Sequence, residues 1–358
     1  MSARPRLTVD LDAVRANYRR LCAEAPGADV AAVVKADGYG LGLAPVARTL
    51  FAAGARRFFV ADVEEADELA AILPEAVVYV LGGYAAGARD AFHGRRLRPV
   101  LNTPGQVRAF AALPSDRRPP AALQVDTGMT RLGVPVAAID ALRHDLADLE
   151  LDFLVSHLAC ADDPDPGFSR HQRARFEAAR RLVPHLSASL ANSAGIFLGP
   201  DFHYDLCRPG IAVVGGNPRP GRANPMAPVV TLDAELLQVY ALEGEARVGY
   251  GATYRAPAGA RIATAAVGYA DGVLRCVGNR GTARLAGVEV PLAGRVSMDL
   301  VGLDVTAVPT AAAVEGARVE LIWGADGLDR MADAAGTIPY EVLVRLGPRV
   351  ERRYRGGG

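Results

Sequence analysis

Apolar residues along the chain gather in short runs separated by longer stretches with helical spacing. The runs cover residues 31–34, 57–61, 77–81, 98–101, 123–126, 153–157, 187–191 and 204–207. Between them, residues 63–73, 104–113 and 171–183 repeat apolar positions at the three-to-four spacing of an amphipathic helix. Short apolar strands alternating with helices predict an α/β fold, a parallel (β/α)8 TIM-type barrel over residues 1–230. From residue 231 the texture changes. ARVGYGATYRA, ARIATAAVGYADG, GTARLAGVEVPLAGRVSMDLVGLDV and ARVELIWG are short, β-rich and punctuated by glycine and proline, which predicts a smaller, mostly β domain over residues 231–358. The terminal RRYRGGG is expected to fray.

Polar residues fall into this frame with a bias. Lys35, Asp126, His157, Asn192 and Arg208 each sit at or just beyond the end of a predicted strand. In a barrel of this type that end carries the chemistry, and the opposite end serves stability.

Composition sharpens one of these positions. Of 40 basic residues 39 are arginine, and the single lysine is Lys35. Guanidinium is too basic to offer a neutral amine, so a lysine retained in an arginine-rich chain points to work arginine cannot do. A chance surface survivor is the competing reading of that fact alone. Acidic and basic residues balance at 40 each, which argues against a nucleic-acid binder relying on bulk charge. No apolar run reaches the roughly 20 residues of a membrane span. The first residues, MSARPRLTVDLDAV, lack a signal peptide's apolar segment, so a cytoplasmic location is expected. Cys22, Cys160, Cys207 and Cys276 show neither CxxC nor zinc spacing and read as reduced thiols, with no metal site expected.

The string AAVVKADGYGLG around Lys35 is weak as a bare glycine loop, but as a whole it resembles the cofactor-lysine signature of alanine racemases. The resemblance continues in order through VDLDAVRANY, DTGMTRLG, SHLA, LANSAG, LCRPGI, VGYGATY, VGYADG, GRVSMD and IPYEV. It implies a pyridoxal 5'-phosphate enzyme that interconverts L- and D-alanine by two bases on opposite faces of the substrate, supplying D-alanine for cell-wall peptidoglycan. The cofactor supplies the electron sink and the protein the positioned acid–base groups.

By this resemblance Lys35 carries the cofactor and serves the D-enantiomer, and Tyr250 serves the L-enantiomer. Arg208 faces the pyridine nitrogen, where a permanently protonated guanidinium donates without protonating the ring. Tyr39, Ser193, Gly210, Ile211 and Tyr340 meet the phosphate, His157 contacts Arg208 behind the cofactor, and Asn192 completes the shell. Arg131 meets the substrate carboxylate as a planar fork. Asp162, Tyr269, Arg275 and Arg295 line the entrance. The resemblance also implies a homodimer in which Tyr250, Met298 and Asp299 come from the partner, with Met298 touching substrate.

Two positions depart from the family pattern. Many relatives carry a carbamylated lysine seven residues before Arg131, where this chain has Gln124; a chloride ion near Arg131 is the expected substitute for its charge. Ser189 stands where some relatives have histidine.

Three rivals share parts of the pattern. A decarboxylase of the same architecture would carry a cysteine near RVSMD, where this chain has Ser297. A racemase of broader range, taking serine or lysine, would keep almost the same catalytic set. A non-catalytic pyridoxal-phosphate carrier would lack the β domain and therefore Tyr250.

Overall fold

The computed structural model describes residues 4–85, 92 and 97–357. Each of the eight predicted runs carries a strand. Ser187–Ser189, Leu151–Val155, Ala121–Asp126, Leu97–Leu101, Val77–Val80, Arg57–Val60 and Ala32–Val33 pair in that order, all parallel. Leu206–Cys207 completes the ring, pairing with Asp29–Val30 on one side. On the other side Asp205 N donates to Ala188 O at 3.0 Å.

Ala31, Phe59, Tyr79, Val100, Ala122, Phe153, Val155 and Leu206 fill the barrel. Phe59 and Tyr79 stack at 4.7 Å, and Tyr79 finds a polar outlet through its hydroxyl, which donates to Asp152 at 2.9 Å. A tyrosine can stand inside an apolar core only if its hydroxyl is paired in this way. The expected helices form at Val63–Ile72, Pro104–Ala111 and Gly167–Leu182. Asp62 and Thr103 cap the first two through Glu65 N and Gln106 N.

The second unit is organised by one long strand, Val230–Ala241, whose first half alternates buried and half-buried residues. It pairs antiparallel with Arg261–Ala265 and Arg318–Ile322. Both chain ends join this sheet, contrary to the sequence-based expectation. Arg6–Asp10, within the stretch assigned to the barrel, pairs antiparallel with Val230–Ala241. Glu351–Arg355, whose last four residues open the segment expected to fray, runs parallel to Arg6–Asp10. That last strand is almost wholly charged, but Arg352 donates to the carbonyls of Gly40 and Leu346 at 3.0 and 2.6 Å, and Tyr354 Oη donates to Leu41 O at 2.8 Å. The terminus is therefore tied back to the loop that follows Lys35.

Candidate active site

Lys35 opens a turn that runs the wrong way round. Ala36, Asp37, Gly38 and Tyr39 have φ of 54°, 53°, 61° and 60°, so Lys35–Tyr39 is wound left-handed. Gly38 N donates to Val34 O at 2.9 Å and Gly40 N to Ala36 O at 2.7 Å. For residues with a Cβ this winding costs roughly 1–2 kcal/mol each. Several contacts offset the cost. Asp37 Oδ1 accepts from Leu43 N at 2.6 Å, and Glu65 Oε1 accepts from Ala36 N at 2.5 Å.

The glycines of this string answer to the second domain. A Cβ on Gly40 would lie 2.6 Å from Leu343 O, and one on Gly42 would collide with the Tyr354 hydroxyl. They permit helix Pro339–Val344 and the terminal strand to close over the turn, which packs Tyr340 against Tyr39 with rings 5.9 Å apart.

Lys35 is half-buried and has no hydrogen-bond or ion-pair partner among the described residues. Burial, helped by the Arg131 guanidinium, holds its amine below the ordinary lysine range, with Glu65 acting in the opposite sense.

Beside it lies a small backbone cradle. Asn192 caps the short helix Ser193–Ile196, accepting from Gly195 N at 2.9 Å. Ser193 Oγ gathers the N–H groups of Gly210 and Ala212 at 2.9 and 3.2 Å. Any Cβ on Gly210 would collide with the Tyr39 hydroxyl, so only glycine brings this backbone so near the tyrosine. Ile211 is buried behind it. Burial and the Asp162 carboxylate push the Tyr340 hydroxyl up to about 12, which keeps it a donor at neutral pH.

Arg208 is the most firmly held group of the set. Only 5 % exposed, it donates through Nη2 to Ser156 O at 2.5 Å and through Nη1 to Ser189 Oγ. Ser189 Oγ in turn donates to Leu206 O at 2.6 Å. The guanidinium stands 5.9 Å over the Phe59 ring. Burial lowers its pKa to about 10, which still leaves it charged near pH 7. His157, expected to contact Arg208, makes no hydrogen bond to it among the described residues. Burial first, then the charges of Arg208, Arg131 and Lys35, push its pKa down to about 3, so the imidazole is neutral.

Arg131 is exposed on a loop that Asp126 shapes by accepting from Gly128 N and Thr130 N at 2.9 and 3.1 Å. Gln124, 7 % exposed, donates to Leu132 O at 3.1 Å, so it grips the backbone beside Arg131.

The β-domain residues form a second cluster. Tyr250, Tyr269 and Met298 are 69 %, 42 % and 54 % exposed. Tyr269 N and Ala270 N donate to Ser297 O and Met298 O at 3.0 and 2.9 Å, which joins the VGYADG and GRVSMD loops. Gly268 allows that approach, because a Cβ there would strike Met298 O. Arg295 lies against Gly251, next to Tyr250. Asp299 pairs with Arg349 at 2.7 Å, and Arg275 opens a short turn, Arg275–Val277. No hydrogen bond joins Tyr250 to the Lys35 cluster among the described residues.

Three supporting groups escaped the sequence reading. Glu65 lies three residues after Asp62, the spacing of a capping box, and that was its only signal. Ser156, beside His157, carries Arg208 on its carbonyl and donates through its hydroxyl to Val125 O at 2.8 Å. Gln172, on the helix outside the barrel, donates to His157 O at 2.9 Å. Nothing in the sequence marked either.

Residues 9–218 match the family of alanine racemase N-terminal domains, and residues 229–354 match that of the C-terminal domains. The chain is 49 % identical to an alanine racemase of Rhodospirillum rubrum, over 98 % of this chain and 96 % of that one. It is 46 % identical to a catabolic alanine racemase of Mesorhizobium japonicum, over 98 % and 93 %. The crystal structure of the Bartonella henselae alanine racemase with covalently bound pyridoxal phosphate superposes with a TM-score of 0.93 at 35 % identity, covering 99 % of this chain and 100 % of that one. With both domains matched in order along one chain, and relatives aligned over nearly its whole length, the protein belongs to the alanine racemase family.

Proposed function

We propose that the chain interconverts L- and D-alanine with pyridoxal 5'-phosphate held at the mouth of the barrel. The observation that carries this reading is the meeting of three unlike features on one face: the unpaired Lys35 amine, the Ser193–Gly210 cradle and the buried Arg208 guanidinium. The residues suit the cofactor. The cradle, lined by Tyr39, Ile211 and Tyr340, fits a phosphate, and Arg208 fits a ring nitrogen that must stay unprotonated. His157 and Asn192 support the shell from behind.

When bound, pyridoxal phosphate supplies the electron sink that lets a Cα proton leave. The chain's own residues do the rest. Lys35 would hold the cofactor, and its Nζ, made less basic by burial, would move the Cα proton on the D face. The Tyr250 hydroxyl of a second copy moves the proton on the opposite face. Arg131 orients the substrate carboxylate as a bidentate fork. Arg208 remains a donor throughout, since its burial-lowered pKa still lies well above neutrality.

In this reading the barrel, residues 1–230, holds the cofactor, and the β domain, residues 231–358, completes the site of the partner in a homodimer. Tyr250, Met298 and Asp299 cross to that partner, and Met298 with Tyr340 restricts the side chain to a small one. Asp162, Tyr269, Arg275 and Arg295 line the way in. A chloride ion near Arg131 supplies the charge that Gln124 lacks. The test is direct: purified protein absorbs visible light until borohydride is added, and racemises alanine faster than serine or lysine. A colourless protein that fails to take up added cofactor would overturn the reading.

A further inference from the structure

Glu65 grips the turn on which Lys35 is mounted, and none of the chemistry above uses it. In a capping box the acidic residue three places after the cap returns its side chain to the cap's own N–H. Asp62 does accept from Glu65 N at 3.0 Å, but Glu65 bypasses the reciprocal partner. Its Oε2 accepts from Ala61 N at 2.8 Å, at the end of the strand Arg57–Val60. Its Oε1 accepts from Ala36 N at 2.5 Å, the residue that follows Lys35. One carboxylate therefore fastens the first left-handed residue, at φ 54°, to the end of the neighbouring barrel strand. Charge-assisted bonds of this kind are about twice as strong as neutral ones.

We propose that Glu65 is a positioning residue for Lys35: it fixes the direction in which the amine leaves the barrel and sets a negative charge beside it. Among the described residues, few titratable groups act on the amine. Glu65 comes from the helix and Arg131 from the 126–133 loop, with neutral His157 at a strand end. Asp37, on the same turn, accepts from Leu43 N through its Oδ1. Among the described residues, Glu65 is thus the carboxylate that counters Arg131.

The inference rests on Lys35 being the D-face base, and Lys35→Ala tests that separately, because cofactor capture by that variant would sink the reading and leave Glu65 aside. Glu65→Gln keeps the shape, loses the charge and turns one acceptor into a donor. Glu65→Asp keeps the charge but is too short to span both amides. With alanine deuterated at Cα, Glu65→Gln raises the isotope effect on kcat/KM from the D-enantiomer more than from the L-enantiomer, and lowers kcat/KM about tenfold or more, as misplacement of a reacting group does. Glu65→Asp lies between it and the parent. A second readout needs no turnover. Covalent capture of pyridoxal phosphate by the cofactor-free chain, followed by absorbance, becomes half-maximal at lower pH in Glu65→Gln, because the amine has lost its neighbouring anion. A parental isotope pattern in Glu65→Gln, or an equal rise from both enantiomers, overturns the proposal whatever the capture curve does.

Discussion

At the barrel mouth Arg208 is sealed in and both ends of its guanidinium are occupied, by Ser156 O and Ser189 Oγ. On the β domain Tyr250 stands mostly in solvent, and Tyr269 and Met298 stand out with it. The two clusters come from one chain, and in the proposed dimer the second is completed only against a partner. The barrel cluster is preorganised by burial, hydrogen bonds and a strained turn. The β-domain cluster holds several exposed large apolar side chains, Tyr250, Tyr269, Met298 and Leu300, and such groupings mark interfaces. A group finished within its own chain fails when its support is cut, whereas a group waiting for a partner fails when the partner is missing.

The largest effect tests the finished half. Lys35→Ala should abolish both visible absorbance and racemisation. In the parent, borohydride followed by peptide mapping should label the Lys35 peptide, because the chain has no other lysine side chain. Measurable turnover in Lys35→Ala would break the comparison at its stronger side.

Tyr250→Phe tests the waiting half. It removes only a hydroxyl that makes no hydrogen bond within its own chain among the described residues, so the thermal midpoint should not move, while racemisation falls roughly 100- to 10,000-fold, as for loss of a positioned acid–base group. Mixing it with Lys35→Ala and allowing subunits to exchange should return activity. With random pairing half the dimers are mixed and each holds one intact site, so the ceiling is about a quarter of the parental rate per chain. Proven exchange without recovered activity would place both bases in a single chain.

Much of this contrast was legible in the sequence. The barrel strands announced themselves as apolar runs, and the resemblance to alanine racemases supplied residues that spacing alone could not. What stayed hidden depends on contacts between distant segments. Glu351–Arg355 reads as a polar tail, because its partners, Arg6–Asp10 and the loop after Lys35, lie at the other end of the chain. The glycines after Lys35 were weak evidence of a phosphate loop, and Gly40 and Gly42 are small to admit Leu343 and Tyr354. Ser189 looked like a lost histidine until the structure placed its hydroxyl under Arg208. Glu65 showed a cap spacing but not the turn that it reaches.

A pH titration separates the halves by a smaller effect. Unfolded, the His157 imidazole titrates near 6.5; folded, burial and nearby cations hold it at about 3. Between those values the unfolded chain binds a proton that the folded chain refuses. His157 therefore makes stability fall as pH drops from 6.5 towards 3, by up to about 1.4 kcal/mol per pH unit, and contributes no slope above 6.5. Denaturant midpoints should fall less steeply below pH 6.5 in His157→Gln than in the parent. Parallel curves for the two proteins would mean that His157 is protonated when folded and that the barrel mouth is less sealed than its geometry indicates.

The smallest effect concerns Gln124, at the edge of the barrel half. Its amide donates to Leu132 O, which fixes the loop backbone but puts no charge beside the exposed Arg131. A fork that must meet a substrate carboxylate is better oriented by an anion at its rear edge, and chloride is the simplest one available. Replacing chloride by a large, weakly coordinating anion at constant ionic strength should therefore raise KM for alanine a few-fold and leave kcat nearly unchanged, since uniform binding is what is lost. Gln124→Lys with carbon dioxide supplied should remove most of that dependence, because a carbamylated lysine brings its own charge. Without carbon dioxide the same variant should bind alanine worse than the parent, a lysine ammonium then facing Arg131 in a buried position. A parent indifferent to chloride would mean that the Leu132 anchor alone sets the fork, and that backbone placement does here what a charge does in relatives.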